Sequence, residues 1–403
     1  MKKLLCVLIL FCCMMSIVVA QQKKEPAQIP ILGWYGVSPK DNTVERFKEQ
    51  KESGITHNFT FYKNAEELAT ALDAAQKAGI KVIAHCPELE KEPEKTVKRF
   101  MNHPALAGYF LRDEPGRADF PELGAWAKRI QKVDNSHFCY LNLFPVYAPP
   151  AALGTDTYRE YVQQFIEEVP LQLLSFDHYP IILDETGNRI VRNGWYENLE
   201  IFSEEAAKAG KPFWAFALTV AHASYPIPTI EEIRLQVFSN LAYGAQGIQY
   251  FTYWTPGTDE GFDFHHGPID HDTRKRTEVF DRIKEMNREI RNLSKVFLNA
   301  KVVSIAHTGD IIPDGTKRQA KLPDVIKMFE TEGEGAIVSI LEKGNDSFLV
   351  IVNRDFKKSM KVRIEGDHSL QRVLKDGTVV PARAYINTLE VDPADLLIYN
   401  WKK

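Results

Sequence analysis

The stretch His103-Pro104-Ala105-Leu106-Ala107-Gly108-Tyr109-Phe110-Leu111-Arg112-Asp113-Glu114-Pro115 opens with a His-Pro turn and continues as an apolar run without polar alternation. It then stops in three charges and a proline. A short unbroken apolar run reads as a strand buried on both faces, the kind found inside parallel sheets. Pro115 cannot donate to a ladder, so the strand ends by that point. Acids at the carboxyl end of such a strand sit where α/β barrels keep their chemistry. The plain alternative is an acidic, solvated loop. No turn residue separates the acids from the apolar run, which favours the first reading.

Working outward, strands and helices alternate on both sides. The expected strands are Ile31–Gly36, His57–Tyr62, Lys81–Cys86, the opening stretch, Phe138–Phe144, Leu173–Pro180, Pro212–Val220 and Gly247–Trp254. Between and after them lie the expected helices Thr43–Ser53, Ala65–Ala78, Glu92–Asn102, Phe120–Val133, Thr157–Glu168, Asn193–Ala209, Thr229–Tyr243 and Arg274–Leu293. Gly54, Gly79, Gly210 and Gly244 stand where helices stop. Eight strand-then-helix units predict a (β/α)8 TIM barrel, and no glycine-rich phosphate loop follows any strand. Near Asn299 the period changes to short runs broken by Gly, Asn, Asp and Lys turns: Val302–Ile305, Ala336–Leu341, Ser347–Val352, Met360–Ile364, Leu370–Leu374 and Leu396–Tyr399. That pattern predicts a small C-terminal antiparallel β-sandwich. The expected domains are therefore 21–297 for the barrel and 298–403 for the sandwich, which reads as packing against the barrel rather than binding sugar.

Residues 1–20 read as a secretory signal: Lys2-Lys3, an apolar core from Leu4 to Val19, and a small-residue cleavage site ending at Ala20. The expected location is periplasmic or secreted, with no membrane insertion after signal removal. Cys6, Cys12 and Cys13 leave with that segment, and Cys86 and Cys139 read as small core residues. The net charge of −4 gives no reason to expect nucleic acid. Aromatics are in mild excess, with 23 Phe, 15 Tyr and 6 Trp, which suits stacking against a ligand. The oligomeric state stays open.

A barrel gathers its strand ends at one mouth. They supply Trp34 and Tyr35, Tyr62, His85, Asp113 and Glu114, Asn142 and Phe144, then Asp177, His178 and Tyr179, Thr219 and His222, and Tyr253 and Trp254. Rings stack on the apolar face of a pyranose, while carboxylates and amides bind hydroxyls and move protons. Cleaving a glycosidic bond needs an acid for the leaving oxygen and a second carboxylate. Glu114 is the expected acid, because desolvation and the neighbouring Asp113 favour its protonated form. The expected substrate-binding set is Trp34, Tyr35, His85, Asn142, His178, Tyr179, His222, Trp254 and Glu260. No cofactor is implied. A metal site from His85, Asp177 and His178 would need an assumed geometry, and none is assigned.

The segment from His103 to Pro115 resembles the fourth-strand motif of the glycoside hydrolase clan with (β/α)8 catalytic domains, which includes families 5 and 42 and ends that strand in Asn-Glu-Pro. Leu174–Pro180 resembles the clan's sixth strand, Tyr250–Trp254 its aromatic eighth, and Phe348–Arg354 a strand of the appended sandwich. The resemblance implies that Glu114 is the acid/base, with Asp113 where Asn is usual. It also implies a glutamate nucleophile ending strand seven, but Pro212–Thr219 contains no acid. The second carboxylate is then expected to be Asp177, ahead of Asp259, Glu260 and Asp263 in the loop after Trp254. Three functions remain open: a glycoside hydrolase cleaving an oligo- or polysaccharide, a non-catalytic carbohydrate-binding protein on a degenerate barrel, or, last, a metal-dependent hydrolase or lyase using His85, Asp177 and His178.

Overall fold

The computed structural model describes residues 27–257, 261–382 and 387–403. Eight parallel strands form one sheet: Ile31–Trp34, His57–Asn58, Lys81–Ala84, Leu106–Asp113, Phe138–Asn142, Leu174–Phe176, Phe213–Leu218 and Gly247–Phe251. Each lies beside its sequence neighbour, and the first pairs with the eighth through Ile31 and Ile248. A bridge from Leu143 to Phe176 joins the fifth strand to the sixth, with the Leu143 N–H donating to the Ser175 carbonyl at 2.9 Å. The sheet is closed into a (β/α)8 barrel. Helices Val44–Glu52, Ala65–Ala78, Pro93–Phe100, Phe120–Val133, Tyr158–Glu168, Trp195–Ala209, Ile230–Ala242 and Glu278–Phe297 follow the successive strands.

Local chemistry starts and stops these helices. The side chains of Thr43, Asn64, Thr157 and Thr229 accept from the backbone N–H three residues on. Thr229 also forms a capping box with Glu232. Gly79 takes the left-handed conformation at φ 75°, which an L side chain would strain. The closing helix begins at Glu278 rather than Arg274, because residues 270–273 form an Asp270-centred turn and Thr277 caps the helix. It runs on to Phe297 because Val296 and Phe297 are buried.

Side chains alternate across the barrel wall. Inside are Leu32, Trp34, Phe59, Ile83, Phe110, Tyr140, Trp214, Phe216 and Leu218, packed as a ring-rich core. Outside, toward the helices, are Ile31, Tyr109, Leu111, Cys139, Leu141, Ala215, Ala217, Ile248 and Tyr250. Both faces are buried, which is why the strands read as unbroken apolar runs. Cys86 and Cys139 are free thiols in this core.

Observed strands are shorter than the sequence suggests where the chain leaves the ladder to build loops. The second is reduced to His57–Asn58, after which Phe59 bonds across to Gly33 and Gly36 rather than continuing the pairing. The polar loop after the sixth strand holds an unexpected hairpin, Ile181–Leu183 with Arg189–Val191.

After the closing helix, Lys301–His307, Ala336–Lys343, Asp346–Asn353, Leu396–Lys402, Gln371–Val373 and Val379–Pro381 form a six-stranded sheet in that spatial order. Ile326–Glu330, Met360–Gly366 and Asn387–Val391 form a facing three-stranded sheet. Val338, Ile340, Leu349, Ile351 and Tyr399 pack between the sheets, while Ile337, Leu341, Val350, Val352 and Ile398 join the barrel's core cluster. The Ser339 hydroxyl donates to the Ala242 carbonyl at 2.8 Å across that contact. Ile326–Glu330, Val379–Pro381 and Asn387–Val391 were not expected as strands, being short or dense in polar residues. No helix among the described residues is long and apolar enough to cross a membrane.

Candidate active site

The fourth strand brings its acids to the mouth because its pairing is irregular. Phe110 stands opposite Tyr140, and the next pair is Asp113 with Asn142: three steps on one strand against two on the other. This β-bulge turns Asp113, instead of Arg112, onto the inner face. Arg112 is left outside, paired with Asp119 at 3.3 Å and Glu90 at 3.6 Å. Glu114 follows one residue beyond the strand, at φ 44°, a conformation uncommon for a residue with a Cβ. Its N–H donates to the Asn142 carbonyl at 2.9 Å.

Asn142 and Asp177 extend the inner faces of strands five and six. One Asn142 amide nitrogen donates to Asp113 at 3.1 Å and to Asp177 at 3.0 Å. Beneath it, Ser175 donates to the Asn142 amide oxygen at 3.0 Å, and Gln249 donates to Ser175 at 2.8 Å. The Tyr140 hydroxyl donates to the Gln249 side-chain oxygen. This chain leaves Asn142 one orientation, with its nitrogen toward the acids. Glu114 lies close enough to both aspartates for their charges to act on its carboxyl.

Three carboxyls so close cannot all ionise at neutral pH. Burial, then the Asp177 charge and the Asp113 charge, raise Glu114 well above the carboxylate range. Burial raises Asp113 and Asp177 as well, with Asn142 opposing it in both. Asp113 keeps a solvent-facing edge although protein surrounds most of its carboxyl, and Glu114 and Asp177 are partly open. The site is a floor reachable from the mouth, on which burial and the neighbouring charges favour the protonated form of Glu114.

Strand seven contributes no acid. Its inner face is Trp214, Phe216 and Leu218, continued by Val220. Thr219, one step on, is buried and donates to the Thr252 carbonyl at 2.7 Å.

The remaining expected residues divide. Tyr179 joins the acids, its ring 5.5 Å from Phe251 and 6.0 Å from Tyr225. Tyr35 is half-buried at φ 40°, its ring 5.8 Å from Phe61. His85 packs 5.0 Å from Phe61 and 5.7 Å from Phe110, and burial lowers it to about 4, so it is neutral at pH 7. His178 is buried with Nδ1 3.0 Å from the Asn198 side-chain oxygen, and burial holds it near 3. His222 is enclosed by Tyr225 at 4.8 Å and Phe264 at 4.6 Å.

Trp34 is a correction. It is 2% exposed and sits under the site, 4.4 Å from Phe59 and 5.4 Å from Phe216, so it is barrel packing and not a sugar platform. Tyr62 and Tyr253 are buried too. Strand-end position alone misplaces such residues because alternate side chains leave the barrel. Trp254 is buried below the Arg46 guanidinium, 5.4 Å away, and borders a cavity with Phe61, His271 and Arg274. Asp263 is exposed and accepts from the Ala223 N–H at 2.8 Å. Asp259 and Glu260 lie outside the described residues. No group of three His, Cys, Asp or Glu among the described residues is placed to hold a metal, so His85, Asp177 and His178 do not form one.

Sequence reasoning passed over Ser175, Gln249 and Tyr140. A signal for two of them existed, since Ser175 and Gln249 are lone polar residues inside apolar strands, and such residues need buried partners.

Residues 153–293 match the glycoside hydrolase family 42 model, described as beta-galactosidase. No curated relative matches the chain in sequence. Among solved structures, a family 42 beta-galactosidase from G. stearothermophilus, determined as a catalytic mutant, is 10% identical with TM-score 0.58, over 93% of this chain and 98% of that one. A beta-galactosidase from the psychrophilic Marinomonas ef1 is 11% identical with TM-score 0.56, over 93% and 100%. A family 39 glycoside hydrolase from the gut symbiont Bacteroides cellulosilyticus WH2 is 13% identical with TM-score 0.54, over 93% and 81%. At these identities the likeness is one of fold. The partial family match and the shared architecture together place this chain among proteins built like the (β/α)8 glycoside hydrolase clan.

Proposed function

We propose that the protein is a glycoside hydrolase in which Glu114 protonates the leaving glycosidic oxygen and Asp177 is the second carboxylate. The observation that carries this reading is the gathering of Asp113 and Asp177 on the Asn142 amide beside Glu114, whose protonated form burial and the two aspartate charges favour. An arriving glycosidic oxygen takes the Glu114 proton as its bond to the anomeric carbon breaks, and Asp177 serves as the anion beside that carbon, where positive charge develops. Asp113 raises the acid further, and Asn142 fixes both aspartates. Tyr35, Tyr179, His85 and His222 supply rings and ring nitrogens around the sugar. The start of the chain, with Lys2-Lys3 before an apolar core ending at Ala20, supports action in the periplasm or outside the cell.

The test is turnover by wild type and Glu114→Gln on a panel of aryl glycosides and oligosaccharides, with galactosides first because two of the similar structures are named beta-galactosidases. The reading expects cleavage by wild type that is lost in the variant. Equal turnover removes Glu114 as the acid. Calorimetric sugar binding by wild type, with no cleavage of any member, leaves a sugar-binding scaffold. The anomer released first, read by NMR, assigns retention or inversion.

A further inference from the structure

The loops after strands five, six and seven converge on one guanidinium. Arg192 follows the hairpin Ile181–Leu183/Arg189–Val191, and its N–H donates to the Pro180 carbonyl at 2.7 Å. Its guanidinium carbon lies 4.3 Å from the ring centroid of Tyr147 and 5.6 Å from that of Tyr225. The Tyr147 ring meets His178 edge-on at 4.9 Å, one residue from Asp177. The Tyr225 ring is 6.0 Å from that of Tyr179, which stands two residues after Asp177. Arg192 therefore stands on the wall of the mouth, one ring away from the acids.

Ring contacts hold a guanidinium in place but satisfy none of its five N–H donors. Among the described residues the Arg192 side chain has no carboxylate partner and no hydrogen bond to another residue, and it is half-buried. Its near neighbour Arg189 shows the contrast, being paired with Glu232 and donating to the Ile227 carbonyl at 3.0 Å. A planar cation that is positioned and unpaired in a binding mouth matches a carboxylate or sulfate, which accepts two parallel N–H bonds.

We propose that Arg192 forms a subsite for an anionic group on a sugar ring, so that the preferred substrate carries a uronic acid or a sulfate ester near the scissile bond. This rests on reading the mouth as a sugar site.

The test is calorimetry on the full chain carrying Glu114→Gln, so that nothing is consumed. Uronic-acid oligosaccharides, sulfated oligosaccharides and neutral counterparts of the same linkage are titrated separately, which separates the two anionic sources. One acidic class should bind about 10- to 100-fold tighter than its neutral counterpart, as expected for a charge-assisted contact. That preference should shrink as salt rises. Adding Arg192→Gln should erase it, and Arg192→Lys should restore part of it, with melting temperatures confirming folded protein. A preference that survives Arg192→Gln, an equal loss for acidic and neutral sugars, or no binding of any acidic sugar overturns the proposal. Acidic sugars bound by this protein but uncleaved by wild type would sink the hydrolase reading alone. Cleavage of neutral sugars with indifference to acidic ones would sink this subsite alone.

Discussion

The two sides of the barrel mouth are built on opposite principles. Along strands four, five and six the inner face ends in Asp113, Asn142, Ser175 and Asp177, tied to one another and to Gln249 by hydrogen bonds. Along strand seven it is Trp214, Phe216, Leu218 and Val220, joined by packing alone. One side gathers acids whose ionisation burial opposes; the other fills volume. The contrast shows that one closed barrel accommodates a polar, hydrogen-bonded wall and an apolar, packed one side by side.

The largest effect that could break this contrast is on turnover. Glu114→Gln should lower kcat by about 10²- to 10⁴-fold, the range for removing a general acid, measured on whichever glycoside wild type cleaves. On the opposite side, Phe216→Ala should cost about 3–5 kcal/mol of stability as a buried ring is lost, read by urea unfolding. The folded fraction should keep the wild-type pH profile, and a shifted profile would mean that strand seven takes part in the chemistry. Asp177→Asn sharpens the picture through pH. It removes a negative charge that raises Glu114, so the Glu114 carboxyl loses its proton at lower pH, read by NMR titration because turnover falls with the second carboxylate.

Stability gives a smaller, independent check. Glu114 is raised in the folded state, so its contribution is full below its unfolded value and is lost as pH rises through its folded one. Glu114→Gln should therefore raise the melting temperature by a few degrees at neutral and alkaline pH, while changing little below about pH 4. The smallest effect belongs to the support beneath. Ser175→Ala leaves the Asn142 oxygen and the Gln249 nitrogen short of a partner, a cost of about 1–3 kcal/mol, again by urea unfolding.

The barrel was legible because each of its strands is buried on both faces and each helix carries its own start and stop chemistry. Glu114 and Asp177 stood out in the sequence because each closes a segment that begins as an apolar run. The Asn142 amide that joins Asp113 to Asp177 could not be foreseen, since it depends on how separate strands close against each other. Trp34 misled because strand-end position says nothing about depth, and in this barrel the ring fills the layer below the acids. Arg192 gave no sign, as its meaning comes from two tyrosines on other loops. The short strands of the outer sheet were missed because polar residues interrupt them and pairing partners supply most of their order.

The irregular pairing between Phe110 and Asp113 has an evolutionary reach. Drawn out into regular alternation with no residue changed, that segment would turn Arg112 inward and Asp113 outward. Catalytic character in such a protein can thus change by a shift in phase along one segment, a route that comparing residue identities position by position would not detect.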